Sequence, residues 1–533
     1  MAQNFIEGRR GQGFLLPPDV RDWLPADHLA WFVIEAVKEM DLSAFYAAYR
    51  ADGHGRAAYE PSIMVGLILY AFATNVRSSR RIECHCRQDV AYRVITGNVV
   101  PDHATVARFI DRHKRALGEL FTEVLKLCEK AGLVESGVVS IDGTRIAGSA
   151  SPEVNLTFEQ IAMEIIERTV ATDRAEDEEL GEARGDELPE ELRSPEGRRE
   201  FFRRVRQQLR PQEECSEPAE ENEPDAREEE PSAAGENETM AREEVPLELE
   251  AEEIVGRGRQ GRDAWLREGK RQLEQHRWDD PDPVSRSREE RLLLAAERLD
   301  EELSVERRAN EAYEAYREQG RMRDGRRFGR PPNPHQPPEV PEGKVNVTDP
   351  DARPIPVGFG FVQGYNAQTA VSEQHIVLAA EITNNSTDFS QLAPMVAAVL
   401  LELGRAGIDQ RLLAAVAADA GYWNEQQMDD VVADRHIPVL VAPDKGSRDT
   451  PKRWLNSGRA TWMRAVLQSE HGRERYGKRK QTVEPLYGDT KHNRGFIRFH
   501  RRGRVKVRTE FRLLMMAHNL TKVHRNQIAT AGA

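Results

Sequence analysis

Three carboxylates in this sequence stand where a metal-dependent reaction would need them. Asp142 follows the apolar run VVSI, Asp419 follows AAVAA, and Glu484 lies in the basic stretch TVEPLYGDTKHNRGFIRFHRRG. Two hard divalent cations about 3.5 to 4 Å apart need oxygen ligands that converge from different elements. An aspartate before a glycine, as at Asp142, is more usually a turn former. The hypothesis of a metal site therefore depends on the three residues taken together and not on any one of them.

Two β-rich regions are predicted to position these carboxylates. Residues 138–141 form a short buried strand, followed by a turn at residues 142–144. Further on, the pattern predicts two strands joined by a polar turn at 372–374, a helix over DFSQLAPMVAAVLLELG, and the strands RLLAAVAADAGYW and IPVLVAP. This mixed α/β order is compatible with an RNase H-like layer, though not unique to it.

Residues 14–131 are predicted to be helical. Pro61 begins an apolar helix that runs to about Ala73, and Asp102 is a candidate N-cap for a helix that ends at Gly132. Basic residues on these helices fit a helix-turn-helix that binds DNA, and equally the solvated face of an ordinary helical bundle. The basic residues assigned to DNA here are Arg80, Arg81, Arg108 and Arg112.

The formal net charge of -14 comes from a single tract. Residues 211–253 contain 18 aspartates and glutamates and two arginines, and the rest of the chain is nearly neutral. Residues 471–508 carry 13 lysines and arginines against three acidic residues, which suits the binding of phosphates. The acidic total therefore does not exclude nucleic acid as a partner.

The middle of the chain, residues 156–344, interrupts the α/β pattern. Residues 156–210 and 255–325 are charged and helical in composition, 211–253 is rich in Glu and Pro, and 325–343 is a proline-rich connector. We predict a disordered or weakly ordered insertion into one α/β domain.

Cysteine content and hydropathy indicate the compartment. Four cysteines are too few for a disulfide framework in 533 residues and favour a reducing environment. The longest apolar run, residues 63–73, falls far short of the ~20 residues that span a bilayer. We therefore expect a soluble, cytoplasmic protein.

The motifs SIDGT, ADAGYWN and VEPLYGDTKHNRGFIRFHRRG, followed by AHNLTK, resemble the DDE transposases of bacterial insertion sequences. The N-terminal segments YEPSIMVGLILYA and PDHATVARF resemble the InsH-type helical domain of that group. The resemblance covers about 10–155 and 345–523. It implies an RNase H-like catalytic domain in which Asp142, Asp419 and Glu484 are the catalytic residues and bind two Mg²⁺ ions, with Mn²⁺ as a possible substitute.

The resemblance also implies a reaction and a partner. Activated water would cut the transposon end, and the freed 3′-hydroxyl would attack target DNA. The partner would be double-stranded DNA, namely the terminal inverted repeats and the target, bound on the nucleoid by a homodimer or larger assembly. Two alternatives stay open: a non-catalytic, domesticated DNA-binding regulator, and an RNase H-like nuclease without strand transfer.

The family signature around the glutamate is Tyr, two residues, Arg, three residues, Glu, six residues, Lys. Lys491 matches it, whereas Lys480 occupies the arginine position, Gly477 the tyrosine position, and Tyr476 comes one residue early. We therefore treat Arg479 and Lys480 as interchangeable phosphate contacts. The other residues assigned to the DNA backbone are Lys491, Arg494, Arg498, Arg501 and Arg502.

Three further residues invite weaker hypotheses. Asn366 and Gln368 in GYNAQTA either belong to the site or satisfy polar neighbours, and Trp423 either stacks on a DNA base or, as we favour, packs in the core. The predicted domains are a helical DNA-binding domain (1–132), the two parts of the catalytic domain (133–155 and 345–523), the insertion (156–344) and a tail (524–533).

Overall fold

The computed structural model describes residues 22–49, 58–180, 245–251, 254, 261–279, 287–322, 325, 327–329, 335–358, 360–444 and 457–531. The chain has two compact units: residues 159–246 form one, and residues 1–158 with 247–533 form the other. Most of the acidic tract 211–253 lies outside the described residues. No helix among the described residues is long and apolar enough to cross a membrane.

Helices alone precede the first strand in the described ranges. The Asp102 carboxylate accepts a hydrogen bond from the Thr105 backbone N–H (2.9 Å), which confirms the predicted N-cap. The helix predicted from there to Gly132 is two helices, because His113 leaves the helical conformation (φ -103°, ψ 19°). The helices are α1 (Leu29–Glu39), α2 (Ser43–Tyr46), α3 (Pro61–Ala73), α4 (Ser79–Gln88), α5 (Val90–Ile95), α6 (His103–Arg112) and α7 (Lys114–Lys130).

The described part of the charged middle segment contains long helices. Its helices are α8 (Phe158–Leu180), α9 (Arg262–Asp279) and α10 (Arg288–Glu318). The prediction of weak order is wrong for α9 and α10, which bury a core around Trp265, Tyr313 and Tyr316. The prediction rested on the average composition of the segment, which is dominated by charged residues and does not reveal these few aromatic ones. The side chain of Arg277 is 4% exposed and is neutralised by three glutamates, Glu274, Glu301 and Glu302.

Six of the strands form one mixed sheet. The strands are β1 (Gly137–Ala147), β2 (Asn155–Leu156), β3 (Val345–Asn346), β4 (Arg353–Val357), β5 (Gly360–Val371), β6 (Val377–Thr383), β7 (Leu413–Ala418) and β8 (Val439–Val441). The sheet order is β4-β5-β1-β7-β8. Strand β6 also pairs with β5, at residues further along β5 than those that pair with β4. Strands β1, β7 and β8 are parallel, and β5 is antiparallel to β1. The predicted mixed α/β class is confirmed.

Strand β1 is longer than the sequence predicts. The turn expected at residues 142–144 is wrong, because β1 pairs with β5 from Ser140 to Ala147. Gly143 is needed here because the side chains of Gln368 and Asp388 pack closely against its backbone, where an added Cβ would clash with both.

Five helices complete the described part of the larger unit: α11 (Leu392–Ala406), α12 (Glu425–Arg435), α13 (Gly458–Gln468), α14 (Glu470–Gly488) and α15 (Arg504–Ala531). Asn519, in the AHNLTK motif of α15, accepts from the backbone N–H of Val377 and donates to its carbonyl (both 2.9 Å). The helix thereby satisfies backbone groups of the edge strand β6.

Arg512 of α15 joins the N-terminal helices to the sheet. Its guanidinium pairs with Glu381 (2.5 Å) and Glu402 (2.9 Å) and donates to the Gly118 carbonyl of α7 (3.1 Å). One hydrophobic core runs through the N-terminal helices, the sheet and α15. The helices 29–130 therefore pack as part of the larger unit, and the domain boundaries of the sequence analysis stay a prediction.

Replacing Arg512 by alanine is expected to lower the free energy of unfolding by roughly 3–5 kcal/mol, because the fully buried Glu402 would lose its ionic partner. Urea unfolding followed by tryptophan fluorescence measures this change. Arg411→Ala removes an exposed pair with Asp409 and is expected to leave the free energy of unfolding nearly unchanged. Equal effects of the two substitutions would contradict this role for Arg512.

Candidate active site

Two of the three predicted carboxylates lie side by side. Strands β1 and β7 are parallel neighbours in which Ile141 pairs with Ala418, so the next residues, Asp142 and Asp419, stand beside each other. The Asp419 carboxylate accepts a hydrogen bond from the Gly421 backbone N–H (2.8 Å), which fixes its direction at the strand end.

The Asp142 carboxyl group holds its proton more firmly than a free aspartate does. Burial and then the charge of Asp419 raise the pKa of Asp142 to about 6. The guanidinium of Arg479, 3.3 Å from Asp142 Oδ2, acts in the opposite direction. The two carboxylates are thus a concentrated negative charge that one arginine neutralises in part.

Helix α14 covers the face of β1 that carries Asp142. The Tyr487 hydroxyl donates to the Asp142 carbonyl (2.7 Å) and hydrogen-bonds to the Thr369 hydroxyl (2.8 Å). Burial and then Asp142 raise the pKa of Tyr487 well above its ordinary value. Lys480 is exposed, whereas Arg479 pairs with Asp142, so the two are not interchangeable in this structure.

Glu484 lies on the exposed side of α14. Its carboxylate makes no hydrogen bond or ion pair with any described residue. Within the described ranges, no three acidic, histidine or cysteine side chains are arranged to hold a metal ion. The structure brings Asp142 and Asp419 together without Glu484, and the role of Glu484 stays a prediction.

Several predicted DNA contacts are occupied by protein partners. Lys491, on a π-helical turn at Asp489–Asn493, donates to the Arg145 carbonyl (3.2 Å), and burial lowers its pKa. Arg494 pairs with Asp489 (2.7 Å). Burial also lowers the pKa of Arg501. The side chains of Lys491 and Arg494 are therefore held by protein groups before any ligand binds.

The other predicted contacts are exposed to solvent. They are Lys480, Arg498, Arg502, Arg80, Arg81, Arg108 and Arg112. Arg498 belongs to a segment that pairs with the end of β1, where the Phe499 N–H donates to the Ala147 carbonyl (2.8 Å). Arg77 donates to the Arg498 carbonyl (3.2 Å), so the chain entering α4 lies beside this segment.

Asp388 is a further carboxylate at the site, and the sequence analysis missed it. The sequence pattern places it in a helix, but α11 begins only at Leu392 and Asp388 lies in the preceding loop. It accepts hydrogen bonds from Asn366 and Gln368 (2.8 Å each), and Arg145 lies 3.6 Å away. The signal for this loop is the run of turn-forming residues TNNSTD before the helix.

The residues of the weaker hypotheses are buried. The side-chain amides of Asn366 and Gln368 donate hydrogen bonds to Asp388, on the face of the sheet opposite to that of Asp142. Trp423 is 8% exposed and belongs to the hydrophobic core, which confirms the packing role that we favoured.

Asp142 and Asp419 provide donors that suit a hard divalent cation. Both carboxylates stand on paired strands, Asp419 just after the end of β7 and Asp142 within β1, and the charge of Asp419 raises the proton affinity of Asp142. A cation between them would relieve that repulsion, and oxygen is the ligand atom that Mg²⁺ and Mn²⁺ accept. The residues present therefore fit a divalent metal at this pair.

Family models match both ends of the chain. A transposase domain (DUF772) matches residues 18–112, and a transposase DDE domain matches residues 445–524. The second match includes Arg479, Glu484 and Lys491, and neither includes Asp142 or Asp419. No curated protein and no solved structure matches the chain. The geometry of the sheet is therefore the support for the two aspartates.

Replacing Asp142 by asparagine is expected to stabilise the metal-free protein at neutral pH. Because its folded-state pKa is about 6 against an ordinary 3.8, Asp142 makes folding less favourable as pH rises from about 4 to about 6, and the loss persists above that. Two pKa units correspond to roughly 3 kcal/mol.

Thermal unfolding between pH 4 and pH 8 in a chelator tests this. The variant should exceed the wild type in stability above pH 6 and match it near pH 4. Asp430→Asn, on the exposed side of α12, is the matched control. A difference between variant and wild type that stays constant over the pH range would contradict the raised pKa.

Proposed function

We propose that the chain is a transposase of the insertion-sequence DDE type that cuts the ends of its element and joins them to target DNA. The matches to a transposase domain near the N-terminus and a transposase DDE domain near the C-terminus support this proposal. The observation that carries this proposal is the adjacency of Asp142 and Asp419 on parallel strands. A regulator that only binds DNA would have no need of two adjacent carboxylates in this position.

The order of the strands supports an RNase H-like catalytic domain. Strand β1 is central, the antiparallel β5 and then β6 lie on one side, and the parallel β7 and β8 lie on the other. Parallel strands bring their carboxyl ends to one edge of a sheet, which is where ligands bind in open α/β folds. Asp419 stands at that edge, and Asp142 is its neighbour on β1.

The metal would be held by Asp142 and Asp419, with Glu484 as the proposed third ligand. DDE transposases generally use divalent metals, and we propose Mg²⁺, with Mn²⁺ as a substitute and two ions at the site. When bound, such ions stabilise the attacking and leaving oxygens of an in-line displacement at phosphorus.

The neighbouring side chains have the chemistry to hold the scissile phosphate. Arg479 places a guanidinium, which suits bidentate binding of phosphate, beside Asp142. Lys491 adds an ammonium group fixed to the carbonyl of Arg145. Tyr487 anchors the backbone of Asp142 and thereby keeps the carboxylate on the face of the sheet that α14 covers.

We assign DNA binding to a surface formed by the end of β1, the segment 494–502 and the start of α4. Arg498 and Arg502 are exposed there, and Arg502 donates to the Ser149 carbonyl (2.9 Å). Arg80 and Arg81 are exposed in the first turn of α4, three and four residues after Arg77, whose guanidinium donates to the Arg498 carbonyl. Double-stranded DNA, bound by a homodimer or larger assembly, is the proposed partner.

Replacing Asp142, Asp419 or Glu484 by alanine is expected to reduce metal-dependent cleavage of a duplex that carries the element's terminal repeat by at least about a thousandfold, the scale seen for members of a catalytic unit. Binding to the duplex should persist, and Asp430→Ala serves as the matched control.

A gel assay with a labelled terminal duplex and a target plasmid measures cleavage and joining together. Cleavage without joined products in the wild type would favour a nuclease without strand transfer. Binding without either product would favour a regulator. Full activity of any one of the three variants would remove that residue from the site.

Replacing Arg498 by alanine is expected to weaken duplex binding and to reduce the slope of log affinity against log salt by about 1, because one phosphate contact is lost. The double substitution Arg80→Ala, Arg81→Ala should lower the slope by about 2. Fluorescence anisotropy at several salt concentrations measures both. Arg411→Ala is the control, since that side chain pairs with Asp409. An unchanged slope would remove the residue from the DNA surface.

A further inference from the structure

Asp388 lies against β1 next to Asp142 and against the turn that follows Asp419. Its Oδ1 accepts hydrogen bonds from Asn366 Nδ2 and Gln368 Nε2, both at 2.8 Å, and its Oδ2 lies 3.6 Å from Arg145 Nη2. All of these partners belong to β1 or β5. The carboxylate is thus bound to the centre of the sheet, although its loop follows the edge strand β6.

Each aspartate of the pair is followed closely by a glycine that contacts this carboxylate. A Cβ added to Gly143, the residue after Asp142, would clash with Asp388 Oδ1. A Cβ added to Gly421, two residues after Asp419, would lie 3.5 Å from Asp388 Oδ2. The Asp388 side chain therefore lies against both Gly143 and Gly421, and any other residue at position 143 would displace it.

The loop that carries Asp388 is fixed along its length. The carbonyl of Ser386 accepts from Arg145 (3.4 Å), and that of Ser390 accepts from Gln427 (3.0 Å). The carbonyl of Phe389 accepts from Asn424, five residues after Asp419 (3.3 Å). These contacts tie the loop to β1 on one side and to the chain beyond β7 on the other.

We propose that Asp388 is a positioning residue that sets the spacing of Asp142 and Asp419, and so their joint affinity for a divalent cation. This inference rests on the proposed function of the pair. Asp388 acts through contacts with Asn366, Gln368 and the two glycines, since Oδ1 is occupied by two amide donors. It lies on the face of β1 that Gly143 presents, opposite to that of Asp142, because successive residues of a strand point to opposite faces.

Substitutions at two positions test the proposal in the full chain without DNA. Asp388→Ala removes the acceptor and the bulk beside Gly143 and Gly421, and it is expected to weaken Mn²⁺ binding, measured by electron paramagnetic resonance, by about tenfold or more. Asp388→Asn keeps a carbonyl oxygen for both amide donors and is expected to stay within about threefold of wild type. Circular dichroism reports whether each variant is folded.

A second variant leaves Asp388 in place. Gly143→Ala is expected to displace the carboxylate and to weaken Mn²⁺ binding as Asp388→Ala does. Gly458→Ala, where an added Cβ meets nothing within 4 Å, is the matched control and should bind Mn²⁺ as the wild type does.

The outcomes separate this inference from the function on which it rests. Equal losses of Mn²⁺ binding in Asp388→Asn and Asp388→Ala would overturn the inference, because they would indicate that the Asp388 carboxylate binds the metal directly. Unchanged binding in Asp388→Ala, with binding lost in Asp142→Asn, would also overturn it while leaving the proposed site intact. No binding of Mn²⁺ by the wild type would overturn the proposed function and this inference together.

Discussion

The pairing of β1 on both of its sides is the constraint on which the candidate site depends. Parallel pairing with β7 sets Asp142 beside Asp419, and antiparallel pairing with β5 sets Gly143 over Gln368. Side chains alternate along a strand, so a slip of one residue would turn Asp142 to the other face. The Asp142 side chain would then no longer face Asp419 or the side chains of α14. The chemistry of the site is therefore a consequence of strand register.

Buried arginines hold the surrounding helices in the positions that this register requires. Arg512 joins α7, α11 and β6 through Glu381 and Glu402, and Arg504 of α15 pairs with Glu274 of α9. Burying an ion pair contributes little net stability, but losing one partner is costly. Such pairs therefore select one arrangement of the helices more than they stabilise it. The charged helices of the middle segment use the same device.

Local patterns predicted the elements well, and long-range contacts explain most of what they did not predict. The Asp102 cap, the helix beginning at Pro61 and the order of the strands follow from capping residues and periodicity. The prediction of a turn after residue 141 was wrong. Asp-Gly favours turns locally, but here Gly143 leaves room for the side chain of Asp388, which lies in the loop after the edge strand β6. Asp388 lay in no motif, and only the fold brings it to the pair.

The position of Glu484 follows from helix geometry and limits how it can join the pair. Val483, the preceding residue, is fully buried, and successive residues on a helix point about 100° apart. Arg479 and Tyr487, each four residues from Val483, contact Asp142 from the same face of α14. Turning Glu484 toward Asp142 therefore requires the helix to rotate or to unwind locally. Pro485 removes one helical hydrogen bond, and a π-helical turn follows at Asp489–Asn493. If Glu484 is the third ligand, the backbone beside it is where that change costs least.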